Sequence, residues 1–566
     1  MARVVSIGAQ DFEALITNNC FYVDKTLFIK EWWESYDIVT LITRPRRFGK
    51  TLNMNMLERF FSVKYRDQGT VFEGLNIWEE KSPDGEKFPD GNYKYRELQG
   101  TYPVLSLSFA DVKQTTSDEA IRKIKKNIWE LYNQNDFLLK SDLLNDMEKE
   151  QFQLVKPTMD DATAQDAIHD LMKLLYRYYK KKVIILLDEY DTPMQEAYIG
   201  GYWEELVSFT RALFNSTFKT NPYLERAVMT GITRVSKESM FSDLNNLNVV
   251  TTTSDEYASC FGFTEEEVFS AMDEYGLTNK DEVKQWYDGF TMGNIRDIYN
   301  PWSIINFLSK KKLDIYWANT SSNNLVSRLV QEGNAELKVQ FERLLQRRSI
   351  IAELDEEIVF NQLDQGSDAI WSLLLASGYL TVMQVNDDNY ELVLTNYEVE
   401  KMFYKMVKNW FGKERTVYNG FVRALLCGNL KEMNTFMNRM ALSMFSSFDG
   451  GNHPSGQTNP ERFYHGFVLG LLVDLAGKYQ VTSNRESGFG RYDVMLTPLD
   501  RENDGIILEF KVYDPEEEGS LEDTVQSALC QIEEKKYEQS LLDGGVPKER
   551  IRKYGFAFEG KKVRIG

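Results

Sequence analysis

Histidine and cysteine are scarce in this chain: three histidines (His169, His453, His465) and four cysteines (Cys20, Cys260, Cys427, Cys530) in 566 residues. The cysteines are scattered and never spaced as C-x-x-C, which argues against structural zinc and against a disulfide framework and suits a reducing cytoplasm. With so little imidazole, a metal site has to be built mostly from carboxylates, which favours Mg2+ or Mn2+. Long apolar runs are missing as well. No stretch approaches a membrane span, and the N-terminus Met1-Ala2-Arg3-Val4-Val5-Ser6 has no signal-peptide core, so a cytoplasmic protein is expected. Positive charge is in deficit, with 66 Lys and Arg against 86 Asp and Glu and a net charge of −20. That excludes a general nucleic-acid binder, whose affinity rests on neutralising phosphates, but leaves room for a local basic groove. The length predicts roughly three or four domains.

What is present starts with Ile42-Thr43-Arg44-Pro45-Arg46-Arg47-Phe48-Gly49-Lys50-Thr51. Ahead of it, Asp37-Ile38-Val39-Thr40-Leu41-Ile42 reads as a buried strand. Behind it, Thr51 to Phe61 has helical spacing, with Leu52, Met56, Leu57 and Phe60 on one side. Strand, turn and helix ending the turn in Gly-Lys-Thr is the context of a phosphate-binding loop. Backbone N–H groups at the helix start face the phosphates, Lys50 reaches the β- and γ-phosphates, and the Thr51 hydroxyl meets Mg2+. Arg44 stands where the usual pattern has Gly, which leaves hydrolysis an open question at this point. Arg44, Arg46 and Arg47 suit an anion, or equally pair with acids on a neighbouring helix.

Further along, Tyr102 to Phe109 reads as a second core strand, Ser117 to about Tyr179 as a long helical stretch, and Lys181 to Leu187 as an apolar strand closed by Asp188-Glu189-Tyr190-Asp191. Arg226 to Arg234 has the same form, apolar and then polar at its end. Strands alternating with helices predict a parallel sheet, whose ligands bind at the carboxyl ends of the strands, where the polar residues of all three motifs fall. Asp188 is the expected Mg2+ holder of a Walker B arrangement and Glu189 the residue that orients or deprotonates the attacking water. Thr230, Thr233 and Arg234 are candidate γ-phosphate sensors, with Arg234 a candidate for stabilising transition-state charge; a surface arginine ending a strand is the equal alternative. The expected nucleotide contacts are Arg46, Arg47, Phe48, Gly49, Lys50, Thr51, Asp188 and Thr233.

These residues, with Tyr22-Val23-Asp24-Lys25-Thr26 and Thr230-Gly231-Ile232-Thr233-Arg234-Val235-Ser236-Lys237, resemble the AAA-ATPase-like family of bacterial proteins over roughly residues 5 to 250. In that family the Arg-Pro-Arg-Arg-Phe-Gly-Lys loop is itself the signature, so the resemblance makes Arg44 a family trait. It implies ATP binding on an AAA-type P-loop fold.

From about Thr264 the pattern becomes mostly helical, with aromatic turn segments at Trp286-Tyr287-Asp288-Gly289-Phe290 and Tyr299-Asn300-Pro301-Trp302-Ser303. A helix ending at Gly378, then Tyr379-Leu380-Thr381-Val382, a turn at Asn386-Asp387-Asp388-Asn389 and a strand from Tyr390 to Leu394 resemble a winged-helix module, or equally any small α/β cap. Helical residues from roughly 398 to 447 lead to Ser447-Phe448-Asp449-Gly450-Gly451-Asn452-His453-Pro454, the clearest linker.

Beyond it, Glu461 to Ala476 reads as an apolar helix, followed by strands around Asp493 and around Glu509-Phe510-Lys511. Period-2 alternation puts Glu509 and Lys511 on one face, and pairing of the strands brings Asp493 within reach of Glu509. Two carboxylates that hold a divalent ion, with a lysine that orients water or stabilises charge, are what metal-dependent phosphodiester hydrolysis needs. A solvated strand face is the alternative for so loose a spacing. The order helix-Glu461, strand-Asp493, strand-Glu509-x-Lys511 and helix-Gln531 resembles the PD-(D/E)xK nuclease superfamily over roughly residues 455 to 566. The resemblance implies a metal site of Asp493, Glu509 and Glu461 with Lys511 catalytic and Gln531 positioning; Glu486 is a weaker candidate. Residues 452–566 carry 20 Asp and Glu against 15 Lys and Arg, a net of −5, so a grip on DNA is local, with the basic tail Lys561-Lys562-Val563-Arg564 a candidate part of it.

The expected architecture is α/β: an N-terminal P-loop AAA-type parallel sheet (1–260), a helical lid or connector (261–365), a winged-helix-like and helical segment (366–446), a linker (447–459) and a C-terminal α/β PD-(D/E)xK nuclease-like domain (460–566). The expected function is ATP binding and hydrolysis joined to cutting of nucleic acid, in defence or mobile-element control. The alternative is a nucleotide-gated binding or signalling module whose nuclease-like fold only recognises a partner.

Overall fold

The computed structural model describes residues 2–81, 93–233, 241, 244–318, 324–333, 335–354, 367–386, 389–410, 415–448, 460–487, 490–500, 502–515, 518–559 and 562–566. The chain packs as two compact units, Met1–Ser322 with Ser349–Val399, and Asn323–Arg348 with Glu400–Gly566.

In the first unit, five aliphatic runs become the parallel strands β1 (Val39–Thr43), β2 (Val104–Ser108), β3 (Val183–Asp188), β4 (Leu224–Gly231) and β5 (Leu247–Val250), in the order β2-β3-β4-β1-β5. β1 and β3 are buried along their whole length, as parallel strands covered on both faces by helices must be. One face packs on an aromatic core of Phe12, Phe28, Trp32, Phe60, Phe61 and Phe72. The helix Lys50–Phe61 lies there, burying Met56, Leu57 and Phe60 completely, while Leu52 is only partly covered. The stretch expected to be one long helix is three: Ser117–Gln134, Asp146–Leu154 and Asp161–Tyr179. Side chains of Asn145 and Asp160 accept from the N–H groups of Glu148 and Thr163, so each starts a new helix where the periodicity alone suggested continuation.

Two small antiparallel sheets complete this unit. β6 (Phe263–Thr264), β7 (Phe290–Met292) and β8 (Ile295–Tyr299) pair in the order β6-β8-β7. Asn300 then caps the helix Pro301–Lys310 through the N–H groups of Trp302 and Ser303. The other sheet, β9 (Ile350–Glu353), β10 (Leu380–Asn386) and β11 (Asn389–Leu394), runs β10-β11-β9 behind the helix Ser367–Ala376. Gly378 joins that helix to β10 at φ +83°, and a Cβ there would lie 2.9 Å from both Phe290 and Pro45, so the position requires glycine on two counts.

The second unit contains a mixed five-stranded sheet, β12 (Tyr479–Ser487), β13 (Gly490–Pro498), β14 (Gly505–Val512), β15 (Ile551–Glu559) and β16 (Lys562–Ile565), in sequential order. Only β14 and β15 are parallel, and the helix Leu521–Glu534 makes their crossover. Met495, Ile507, Ile532, Tyr537 and Leu541 form the core under that helix. The helix Ala335–Leu345, more than a hundred residues upstream, also belongs to this unit. Ser483 donates to Glu342, and Gln346 donates to the Val481 carbonyl at 3.0 Å. The basic tail is an edge strand, with Arg564 paired to Glu522 at 3.0 Å and Lys562 near Glu559 at 3.5 Å, so these two charges are committed locally. No helix among the described residues is long and apolar enough to cross a membrane.

Candidate functional sites

At the carboxyl end of β1 the chain turns through Arg47 at φ +65° and Gly49 at φ +85° into the helix Lys50–Phe61. The first backbone bond of that helix runs from Asn53 N–H to the Gly49 carbonyl, and Gly49 has no side chain to cap it, so the N–H groups of the first turn have no acceptor within the helix. Lys50 is buried, and its Nζ donates to the carbonyls of Arg44 and Pro45, both at 2.8 Å. Burial pushes its pKa down, against the pull of Glu189, Asp188 and Asp191. A buried ammonium that meets only carbonyls among the described residues, beside helix-start N–H groups with no acceptor in their own helix, is a donor set shaped for a polyphosphate.

Across the sheet, the Thr51 hydroxyl donates to Asp188 Oδ2 at 2.6 Å and the Thr230 hydroxyl to Asp188 Oδ1 at 2.5 Å. Burial raises the Asp188 pKa and the two hydroxyls oppose it. Thr51 and Asp188 thus converge oxygen on oxygen, which fits a hard divalent cation. Glu189 follows in the left-handed region at φ +51°, with its carboxylate accepting from the Thr192 hydroxyl at 3.1 Å. Strained backbone at a candidate catalytic acid is where such strain concentrates.

Several expected contacts are arranged otherwise. Thr233 is completely buried, and its N–H and hydroxyl are spent on Asp191 Oδ2 at 2.9 and 3.0 Å, so its side chain is committed to the fold and Thr230 is the threonine that reaches the acid. Asp191, given no role from sequence, also accepts from the Ile232 N–H at 2.9 Å and so ties the end of β3 to the segment after β4. Phe48 is buried against Phe290, with ring centroids 4.9 Å apart, and Arg47 lies over the Trp302 ring at 4.4 Å, whereas Arg46 donates to Gln195 at 3.2 Å and its charge acts on Lys50, so of these three side chains Arg46 stays beside the loop. Arg234 lies outside the described residues.

Arg44 resolves the odd residue of the motif. It is fully buried and meets no carboxylate among the described residues; its guanidinium donates to the carbonyls of Thr43 (2.9 Å), Thr251 (2.5 Å) and Glu256 (3.1 Å) and lies over the Phe261 ring. Burial lowers its pKa to about 10, still charged at neutrality. Arg44 therefore fastens the loop to the chain after β5 and does not address phosphate. Arg44→Ala is expected to lower stability by about 3–5 kcal/mol, since two buried carbonyls and a part-buried one lose their donor and a large buried side chain is removed. Arg44→Lys should recover only part of it, because an ammonium lacks the guanidinium fork. Denaturant unfolding of both variants checks this.

In the second unit, β13 and β14 pair with Val494 opposite Leu508, which sets Asp493 beside Glu509. The Asp493 N–H donates to Glu509 Oε2 at 3.3 Å and the Phe510 N–H to Asp493 Oδ2 at 2.7 Å. Gln531 donates to Glu509 Oε1 and to the Tyr537 hydroxyl at 3.2 Å, and Lys511 Nζ reaches Ser527 Oγ at 3.1 Å. Burial raises both acids, Asp493 to about 6 and Glu509 to about 8, the latter also by the Asp493 charge. Two adjacent acids that hold their protons more tightly than usual, Glu509 buried and Asp493 half-buried, are suited to exchange them for a divalent ion. Tyr537 and Ser527 had no signal in the sequence. The side chains of Glu461 and Glu486 lie outside the description, although Glu461 falls in the helix Pro460–Leu475.

The two halves are thus a phosphate-loop fold on a parallel sheet and a mixed sheet with an Asp…Glu-x-Lys pair. Comparison with known proteins agrees. Residues 6–241 match the family model of predicted AAA-ATPases and residues 459–566 that of the PD-(D/E)XK nuclease superfamily, so the chain joins an AAA-ATPase-like domain to a nuclease-superfamily domain. It is 24% identical over 410 residues to an uncharacterized protein in the vnfD 5' region of Azotobacter chroococcum mcd 1, covering 70% of this chain and 68% of that protein.

Proposed function

We propose that this protein binds and hydrolyses ATP in its first unit and uses a divalent metal to cut nucleic acid in its second. The observation that carries the first half is Lys50, buried on carbonyls at 2.8 Å beside the Thr51–Asp188 contact. Lys50 and the helix N–H groups bind the phosphates, Thr51 and Asp188 hold the cation, and Glu189, released from Thr192, orients water. A bound Mg2+ supplies charge neutralisation between phosphates.

The second half is carried by Asp493 and Glu509, an adjacent acid pair with Lys511 on the same strand face as Glu509. Mg2+ or Mn2+ there would polarise a phosphodiester and lower the pKa of water. Asp493 and Glu509 hold the ion, Gln531 fixes the Glu509 carboxylate, and Lys511 stabilises charge near the scissile phosphate. The net −5 of this region keeps any nucleic-acid contact local; the role proposed for the cleavage is in defence or mobile-element control.

Incubating the full chain with circular and linear DNA and with RNA, in Mg2+ or Mn2+ and with or without ATP, tests the proposal. Metal-dependent cleavage is expected, falling at least about 100-fold in Lys511→Ala, as loss of a positioned charge stabiliser does. Absence of cleavage under every condition would leave the second unit a recognition module and remove this half of the proposal.

A further inference from the structure

The phosphate loop is held from outside by a segment well beyond the matched ATPase region. The Arg46 carbonyl, in the middle of the loop, accepts from the Trp317 indole Nε1 at 2.9 Å and from Asn300 Nδ2 at 3.2 Å. On either side of it the loop is gripped again: Arg47 stacks on Trp302 at 4.4 Å, and Phe48 packs on Phe290, which itself packs on Trp317 with centroids 5.5 Å apart. All of these residues lie in the first unit.

The clamp is in turn fixed by one buried acid. Glu398 is 1% exposed; its Oε1 accepts from the N–H groups of Tyr316 (2.6 Å), Trp317 (2.6 Å) and Ala318 (3.3 Å), and its Oε2 from the Ser303 hydroxyl (2.7 Å). Ser303 lies in the first turn of the helix that Asn300 caps, so one carboxylate ties together both arms that reach Arg46. Glu398 sits in the first turn of the helix Tyr397–Trp410, through which the chain passes from the first unit to the second.

In a trans peptide the carbonyl and the following N–H point in opposite directions. Fixing the Arg46 carbonyl on Trp317 and Asn300 therefore turns the Arg47 N–H away from the clamp. We infer that Trp317 and Asn300, anchored by Glu398, are positioning residues for nucleotide binding: they hold the Arg46–Arg47 peptide so that the Arg47 N–H points into the loop, toward the phosphates. The inference rests on the reading of this loop as an ATP site. Its consequence is that the ATPase-like domain needs residues 300–318 and 398 to bind nucleotide at full strength.

The test titrates Mg-ATP into the full chain by calorimetry and by intrinsic fluorescence. Trp317→Phe keeps an aromatic ring at the position and removes the indole donor, at the cost of some buried ring volume. Asn300→Asp keeps the oxygen that caps the helix and replaces the donor with an acid facing the Arg46 carbonyl. Loss of one such hydrogen bond corresponds to about a fivefold rise in Kd, and the double variant should exceed about 20-fold. Melting without nucleotide measures what each variant costs the fold, and Kd is read where parent and variants are all folded, which separates positioning from folding. The parent's fluorescence change on ATP addition should shrink in Trp317→Phe, because that indole touches the loop directly. A parent that binds ATP, with both variants binding equally well, overturns the inference and leaves the ATP site standing. A parent that does not bind ATP overturns both.

Discussion

Lys50→Ala is expected to abolish nucleotide binding. The ammonium is buried, and in the absence of phosphate its hydrogen bonds go to its own loop, at the Arg44 and Pro45 carbonyls. Desolvation weakens its charged form, and a bound phosphate would restore the lost interaction, so the side chain is set to favour an anion. Removing one partner of a desolvated charge pair costs about 2–5 kcal/mol, and a loss of at least about 100-fold in affinity falls within that range. Calorimetric titration with ATP measures it, with a melting curve showing that the variant folds. Unchanged affinity would refute the phosphate-loop assignment. Glu189→Gln should separate the two steps. Binding persists, since Glu189 borders the loop without sharing its donors, while hydrolysis falls by about 10^2 to 10^4, the usual contribution of a positioned general base.

Asp493→Asn is expected to remove metal-dependent cleavage and, at the same time, to stabilise the metal-free protein. Both follow from the Asp493–Glu509 pair. Each acid has a folded pKa raised above its ordinary value, to about 6 and about 8. Such a group binds its proton more tightly folded than unfolded, so its favourable contribution is complete at low pH and is lost as pH rises through the folded value. In EDTA the parent should therefore lose stability between about pH 4, the ordinary carboxylate range, and pH 8. Asp493→Asn removes the like charge and should gain about 1–2 kcal/mol near pH 8, the scale of relief seen when a functional site gives up its charge. Melting temperature against pH, for parent and variant with and without Mn2+, reads this directly. Added metal should reverse the trend in the parent alone, with affinity increasing as pH rises, because the ion displaces protons from the pair. A parent whose metal-free stability is flat across this window would refute the raised proton affinity of the two acids.

Both sites were legible from local signals in the sequence. The strand, turn and helix around Lys50 follow local rules: an aliphatic run buried on both faces, a turn with left-handed residues, and helical spacing after it. Asp188 at the end of β3 and the Glu509-x-Lys511 alternation on β14 are likewise set by periods of a few residues. The winged-helix expectation was readable as a helix followed by a hairpin, but the third strand, β9, pairs from across residues 354–388 and had no local signal. The breaks at Asn145 and Asp160 were missed although both are capping residues, because apolar spacing continued through them.

By itself, then, the sequence determined the strands and the helix that carry the two sites and the acids and lysines that stand on them, because burial, periodicity and turn chemistry act over a few neighbouring residues. Only the tertiary structure decided what those side chains meet. Arg44 donates to the carbonyls of Thr251 and Glu256, Thr233 to Asp191, and Asn300 and Trp317 donate to the Arg46 carbonyl. Four of those five partnerships span some 200 residues or more, and four end on a backbone carbonyl. Every residue carries that group, so no residue type marks in advance which carbonyl a buried donor will find.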